Sequence, residues 1–146
     1  MRKTLYRSLT LILLSIFAIS CNTGKNETDA KIDKIISEMT LEEKVGQMTQ
    51  ITLDVIGNGE GRHESKVPFE IDTARIRKAI VEYHVGSVLN TTNNYAMPPA
   101  QWNKIITFIQ KVAMEQTRMQ IPVIYGVDAI HGTTYTDGAI MFPQQI

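Results

Sequence analysis

The apolar positions of this chain change period several times. Ile32, Ile35, Ile36 and Met39 recur at helical spacing and predict an amphipathic helix from about Ala30 to Met39. Thr40-Leu-Glu-Glu43 then has the form of a capping box, which starts a second helix from Leu41 to about Gln47. From Met48 to Val55 (MTQITLDV) the residues are β-branched and roughly alternating, as in a strand. Gly57 to Pro68 is glycine-rich, charged and aperiodic, and reads as a loop. Asp72 suits the N-cap of a helix from Thr73 to about His84, with Ile76, Ala79, Ile80 and Tyr83 on its apolar face. Gly86 to Leu89 is a short buried strand. After a loop from Asn90 to Met97, Pro98 and Pro99 open a long helix to about Arg118. Its inward side carries Trp102, Ile105, Ile106, Ile109, Val112 and Ala113, so Trp102 is most simply a core residue. Pro122 to Val127 gives a third strand that delivers Asp128.

The order is helix, helix, strand, helix, strand, helix, strand, with connections long enough for parallel crossovers. This is an α/β pattern and looks like the first part of a (β/α)8, TIM-like barrel. Such barrels need about 250 residues, whereas the chain has 146. Residues 29–146 are therefore expected to be an incomplete barrel domain, the N-terminal part of a longer protein.

The head of the chain follows a different logic. Arg2, Lys3 and Arg7 precede the apolar run Leu9 to Ile19, a charged region followed by a hydrophobic one, as in an export signal. The run is too short for a permanent membrane helix, which needs about 20 residues. Ala18-Ile-Ser-Cys21 resembles the lipobox of bacterial lipoproteins, which predicts a signal peptide over 1–20 and lipidation of Cys21, the one cysteine present. Ordinary secretion with an incidental cysteine is the alternative. Polar residues complete a tether over 21–28. The expectation is an exported protein, lipid-anchored to a bacterial membrane on its periplasmic or cell-surface side, with the membrane as a partner.

Charge narrows the partners. Fifteen acidic and fifteen basic residues give zero formal net charge, and no Lys/Arg cluster lies outside the signal, which argues against nucleic acid. His63, His84 and His131 are scattered without ligand spacing, so no metal or other cofactor is expected. Gly57, Gly59 and Gly61 do not complete a phosphate-binding spacing. Glu60, Arg62 or His63 could reach a ligand from that loop, but nothing assigns them a role.

Asp128 is the main candidate for chemistry. It interrupts an apolar run in IPVIYGVDAIHG (Ile121 to Gly132), just past the carboxyl end of a strand, where α/β proteins collect ligand contacts. From residue type alone, capping a helix or pairing with His131 is as good a reading as binding a ligand. His131 could orient Asp128, line a pocket, or be a structural histidine in the turn. Asp137 more simply forms the turn Thr136-Asp-Gly138. Tyr95 and Met97 could line a pocket or merely pack the loop.

MTLEEKVGQMTQI (Met39 to Ile51), GSVL (Gly86 to Leu89), IPVIYGVDAIHG and GAIMFPQQI (Gly138 to Ile146) together closely resemble the N-terminal domain of glycoside hydrolase family 3. The resemblance runs from about Ile32 to the end of the chain, and the Asp-Ala-Ile-His-Gly block is its specific part. It implies an exo-acting, retaining β-glycosidase of β-glucosidase type acting on a carbohydrate substrate. In that family an Asp on a later barrel loop is the nucleophile and a Glu, usually from a following domain, is the acid/base. Neither position falls within this chain, so no catalytic residue is expected here and the fragment itself should be inactive. The resemblance assigns to Asp128 the grip on sugar hydroxyls in the innermost subsite. The alternative is a truncated lipoprotein that binds sugar without catalysis or has no function.

Overall fold

The computed structural model describes residues 26–60, 64–90, 92–93, 95–129 and 131–143. The expected signal peptide, Cys21 and most of the expected tether lie outside the described residues, as do Arg62 and His63. The chain divides into two compact units, one ending at Glu38 and the other beginning at Met39.

In the first unit, helix α1 spans Glu27–Glu38. It starts earlier than the apolar stripe indicates because Asn26 caps it, its Oδ1 accepting the Asp29 N–H at 2.8 Å. Thr28, at the end of the expected tether, is therefore already helical. Ile32, Ile35 and Ile36 form the predicted stripe and are exposed.

The second unit opens with α2, Leu41–Gln47, whose capping box forms as expected: Glu43 N–H donates to Thr40 Oγ1 at 3.2 Å and Thr40 N–H to Glu43 Oε2 at 2.8 Å. Strands β1 (Gln50–Thr52), β2 (Ser87–Leu89) and β3 (Ile124–Gly126) then form one parallel sheet in that order. Gln50, Ser87 and Ile124 lie in one register row, Ile51, Val88 and Tyr125 in the next, and Thr52, Leu89 and Gly126 in the third. This is a mixed α/β arrangement with a small parallel sheet.

β1 is shorter than the alternating pattern suggests. The chain leaves the ladder at Leu53 and winds into a 3-10 turn, Leu53–Ile56, that buries Leu53, Asp54 and Ile56. The neighbouring strand supplies the reason, since at Asn90 it turns into the left-handed region (φ 64°) and offers no further partner. Within the glycine-rich segment, Gly57 bridges to Ile71 and Gly59 to Ser65 in antiparallel fashion, pairing that its aperiodic composition does not predict.

Asp72 caps α3, Thr73–Arg77, by accepting the N–H groups of Ala74 and Arg75 at 2.8 and 2.9 Å. The helix then widens into a π turn, Lys78–Glu82, closed by Tyr83 N–H on the Lys78 carbonyl at 3.0 Å. A wider turn rotates the residue that follows it. Tyr83 consequently leaves the apolar face on which its spacing put it and is 61% exposed, while Ile76, Ala79 and Ile80 stay buried.

Helix α4, Pro99–Gln116, buries Trp102, Ile105, Ile109, Val112 and Ala113 as its period predicts, and Ile106 packs at the margin of the core. These side chains meet α3, Val85, Val88 and Val123 in one cluster. Trp102 sets its ring edge-on against Tyr125 at 5.8 Å and 78°, so the middle row of the sheet faces the helices. Ile124, one residue along, is 71% exposed. Close approach of α2 to the entry of β2 depends on Gly46 and Gly86, where a methyl group would overlap the Tyr83 and Gln47 carbonyls respectively.

Candidate functional site

Parallel strands carry their connecting loops out of the same edge, so residues far apart in sequence meet there. At the carboxyl end of this sheet, β1 delivers Asp54, β2 delivers Asn90 and β3 delivers Asp128.

Asp128 is exposed. It is held by Asn90, whose Nδ2 donates to Asp128 Oδ2 at 2.8 Å and whose Oδ1 accepts the Asp128 backbone N–H at 2.8 Å. Among the described residues, none donates a hydrogen bond to Asp128 Oδ1. An ionised carboxylate is acceptor-only, and the Asp128 oxygen that takes no donor from the described residues can accept hydroxyl hydrogen bonds.

Asn90 is itself fixed from three sides. Its backbone is left-handed, its N–H donates to the Gly126 carbonyl at 2.8 Å, and its carbonyl accepts the Tyr125 hydroxyl at 2.5 Å. Burial, then the negative charge of Asp54, pushes the Tyr125 hydroxyl well above its usual pKa, so it remains a protonated donor.

Asp54 is nearly buried and accepts Ser65 Oγ–H at 3.2 Å. The Ser65 carbonyl in turn accepts Asn93 Nδ2 at 2.5 Å, and Asn93 Oδ1 is buried without a partner among the described residues. These polar groups tie the glycine-rich segment to the loop after β2. Arg75 ties the same segment to α3 by donating to the Gly57 and Gly59 carbonyls at 2.8 and 3.0 Å.

The other candidates fall as follows. His131 is half-buried and its carbonyl accepts Phe142 N–H at 2.8 Å, while Asp128 bonds to Asn90. Gly132 beside it is left-handed (φ 84°), a conformation that favours glycine. Asp137 lies in the expected turn, in which Ala139 N–H closes on the Thr136 carbonyl at 3.1 Å and Gly138 takes φ 75°. Met97 is core, at 1% exposure, and its backbone pairs with Tyr135 and Asp137, while Tyr95 is exposed. Glu60 is exposed in its loop. No group of three potential metal ligands occurs among the described residues.

Residues 40–146 match the glycosyl hydrolase family 3 N terminal domain. The chain belongs to this family. Over 122 residues it is also 29% identical to the lysosomal beta glucosidase of Dictyostelium discoideum, an alignment covering 79% of this chain and 14% of that protein. The chain thus spans a small part of the length of that relative. Within the family 3 domain, sequence reasoning singled out Asp128 but passed over Asn90, Asp54, Ser65 and Asn93. The rule that selected Asp128, a polar residue just past a strand, applies equally to Asn90 after GSVL.

Proposed function

We propose that this chain forms the opening units of a (β/α)8 barrel in an exo-acting, retaining β-glycosidase of β-glucosidase type, in which Asp128 binds hydroxyls of the sugar nearest the scissile bond. The observation that carries this reading is the Asp128 carboxylate, exposed at the carboxyl end of β3 with one oxygen anchored by Asn90 and the other taking no donor from the described residues. Membership of family 3 and the similarity to a beta glucosidase support the substrate class. The sheet supports the barrel: helices cover the face bearing Val88, while the opposite face leaves Ile124 open, as in a segment whose interior is completed by further strands.

In retaining hydrolysis one carboxyl group protonates the leaving oxygen and a second, about 5–5.5 Å away, attacks the sugar carbon. In this reading both come from later parts of the longer protein, so the chain alone contributes substrate grip without turnover. Asp128 accepts hydroxyl hydrogen bonds that strengthen as the sugar flattens toward its oxocarbenium-like transition state. The anchoring part of the proposal concerns the head: Cys21 carries lipid, and the enzyme acts on carbohydrate at the periplasmic or cell-surface side of a bacterial membrane. A noncatalytic lipoprotein is the competing reading.

The test is Asp128→Ala in the whole enzyme with an aryl β-glucoside. Two hydrogen bonds to a charged acceptor, at about 1.5–3 kcal/mol each, predict a fall in kcat/KM of about 10²- to 10⁴-fold. Undiminished turnover and sugar affinity would remove Asp128 from the role.

A further inference from the structure

The Asn90 side chain touches Asp128 twice, once at the carboxylate and once at the backbone. The contact joins the ends of two neighbouring strands, so the carboxylate is fixed relative to the sheet and not merely to its own loop. Every backbone group of Asn90 is also engaged: its N–H by the Gly126 carbonyl, its carbonyl by the Tyr125 hydroxyl. Its left-handed φ of 64° is tolerated by asparagine, aspartate and glycine and strained for most other residues. A side chain held this tightly, whose own hydrogen bonds leave one oxygen of its partner open, is built to aim that oxygen.

We infer that Asn90 is a positioning residue for substrate binding, acting through Asp128, an inference that rests on the sugar-binding reading of Asp128. Its amide performs two tasks that no charged or apolar residue of the same size can combine. Nδ2 donates to the carboxylate and so fixes its rotation; Oδ1 accepts the Asp128 N–H and so fixes the strand end. A carboxylate in place of the amide would remove the donor and set two negative charges at hydrogen-bond distance, which raises the affinity of the pair for one shared proton. Once that proton is bound, an Asp at position 90 again donates through one oxygen and accepts through the other.

The experiment compares Asn90→Gly, Asn90→Asp, Asp128→Ala and the double variant Asn90→Gly/Asp128→Ala in the whole enzyme, with an aryl β-glucoside as substrate. Glycine removes the side chain without straining the left-handed backbone. It should lower kcat/KM by about 10- to 100-fold, the loss expected for one hydrogen bond to a charged group. In the Asp128→Ala background the same change should cost less than about 3-fold, because the group it positions is gone. Asn90→Asp should be impaired at neutral pH and recover toward acid relative to wild type, as the pair takes up its proton. A harmless Asn90→Gly beside a damaging Asp128→Ala would overturn the positioning role alone, as would costs that simply multiply in the double variant. A harmless Asp128→Ala would overturn the underlying reading together with it. Should Asn90→Gly fail to fold, Asn90→Asp decides: a pH profile of kcat/KM superimposable on wild type overturns the inference.

Discussion

Glu43 at the amino end of the sheet and Asp128 at its carboxyl end are both held in a defined place, and in opposite ways. Glu43 is nearly buried and engaged at both oxygens: Arg118 grips them with Nε on Oε1 at 3.1 Å and Nη2 on Oε2 at 2.5 Å, while Thr40 N–H takes a further share of Oε2. Side chains of α2, of the turn before β2 and of the segment before β3 gather around it, including Gln47, His84 and Met119. At the carboxyl end, Asp128 is exposed, held by a neutral amide through one oxygen, and open at the other. A carboxylate gripped at both oxygens inside the protein holds elements together. One that is aimed but unspent is placed for something that arrives from solution. In β/α barrels the two ends divide in this manner, with stability at the bottom and ligand chemistry at the top.

Substitution can break this contrast. Asp128→Ala should affect activity by the orders of magnitude given above and leave the unfolding midpoint of the whole protein nearly unchanged. Arg118→Ala should do the reverse. It strips a nearly buried acceptor of its charged partner, a loss of about 1–2 kcal/mol once the exposure of the arginine is discounted, read from a denaturant melt. Its kcat/KM should stay within about 3-fold of wild type. Activity loss in Arg118→Ala at unchanged stability would make the amino end functional and dissolve the division.

A smaller effect sharpens the same comparison through pH. The hydrogen bond from Arg118, then the Thr40 N–H, holds the Glu43 carboxyl below its ordinary value of 4.5 in the folded protein. The unfolded chain therefore binds the proton first on acidification. Stability from this group is complete above about pH 4.5 and is lost as the pH falls further, through the lowered native value. Glu43→Gln should flatten that part of the acid limb in a stability-versus-pH series. An acid limb identical in the two proteins would show that the ion pair is not what couples the amino end to pH.

The same two regions differ in how far they can be read from sequence. The capping box of Thr40 and Glu43 is local, two groups within one turn, and its residue types alone announce it. The stripe of α4 is equally plain because a long helix repeats its period many times. Strand ends are set elsewhere. MTQITLDV alternates through Val55, yet β1 stops at Thr52 because its partner strand turns away at Asn90. Tyr83 kept the spacing of a buried face and lost it to a π turn that no residue in Lys78–Glu82 announces. Asp128 was legible from its place in an apolar run, whereas its tie to Asn90 spans 38 residues and exists only once two strands lie side by side. Asp54 escaped notice for a related reason, since its partner Ser65 sits in a segment that composition marks as a loop.

A crystal structure of the whole protein with a monosaccharide bound would test the grip of Asp128 most directly. Sugar hydroxyls should donate to Asp128 Oδ1 at about 2.5–3.0 Å, with the Asn90 to Asp128 bond intact. A sugar bound away from the carboxyl end of β3, or an Asp128 carboxylate turned from the sugar into a helix cap, would contradict it.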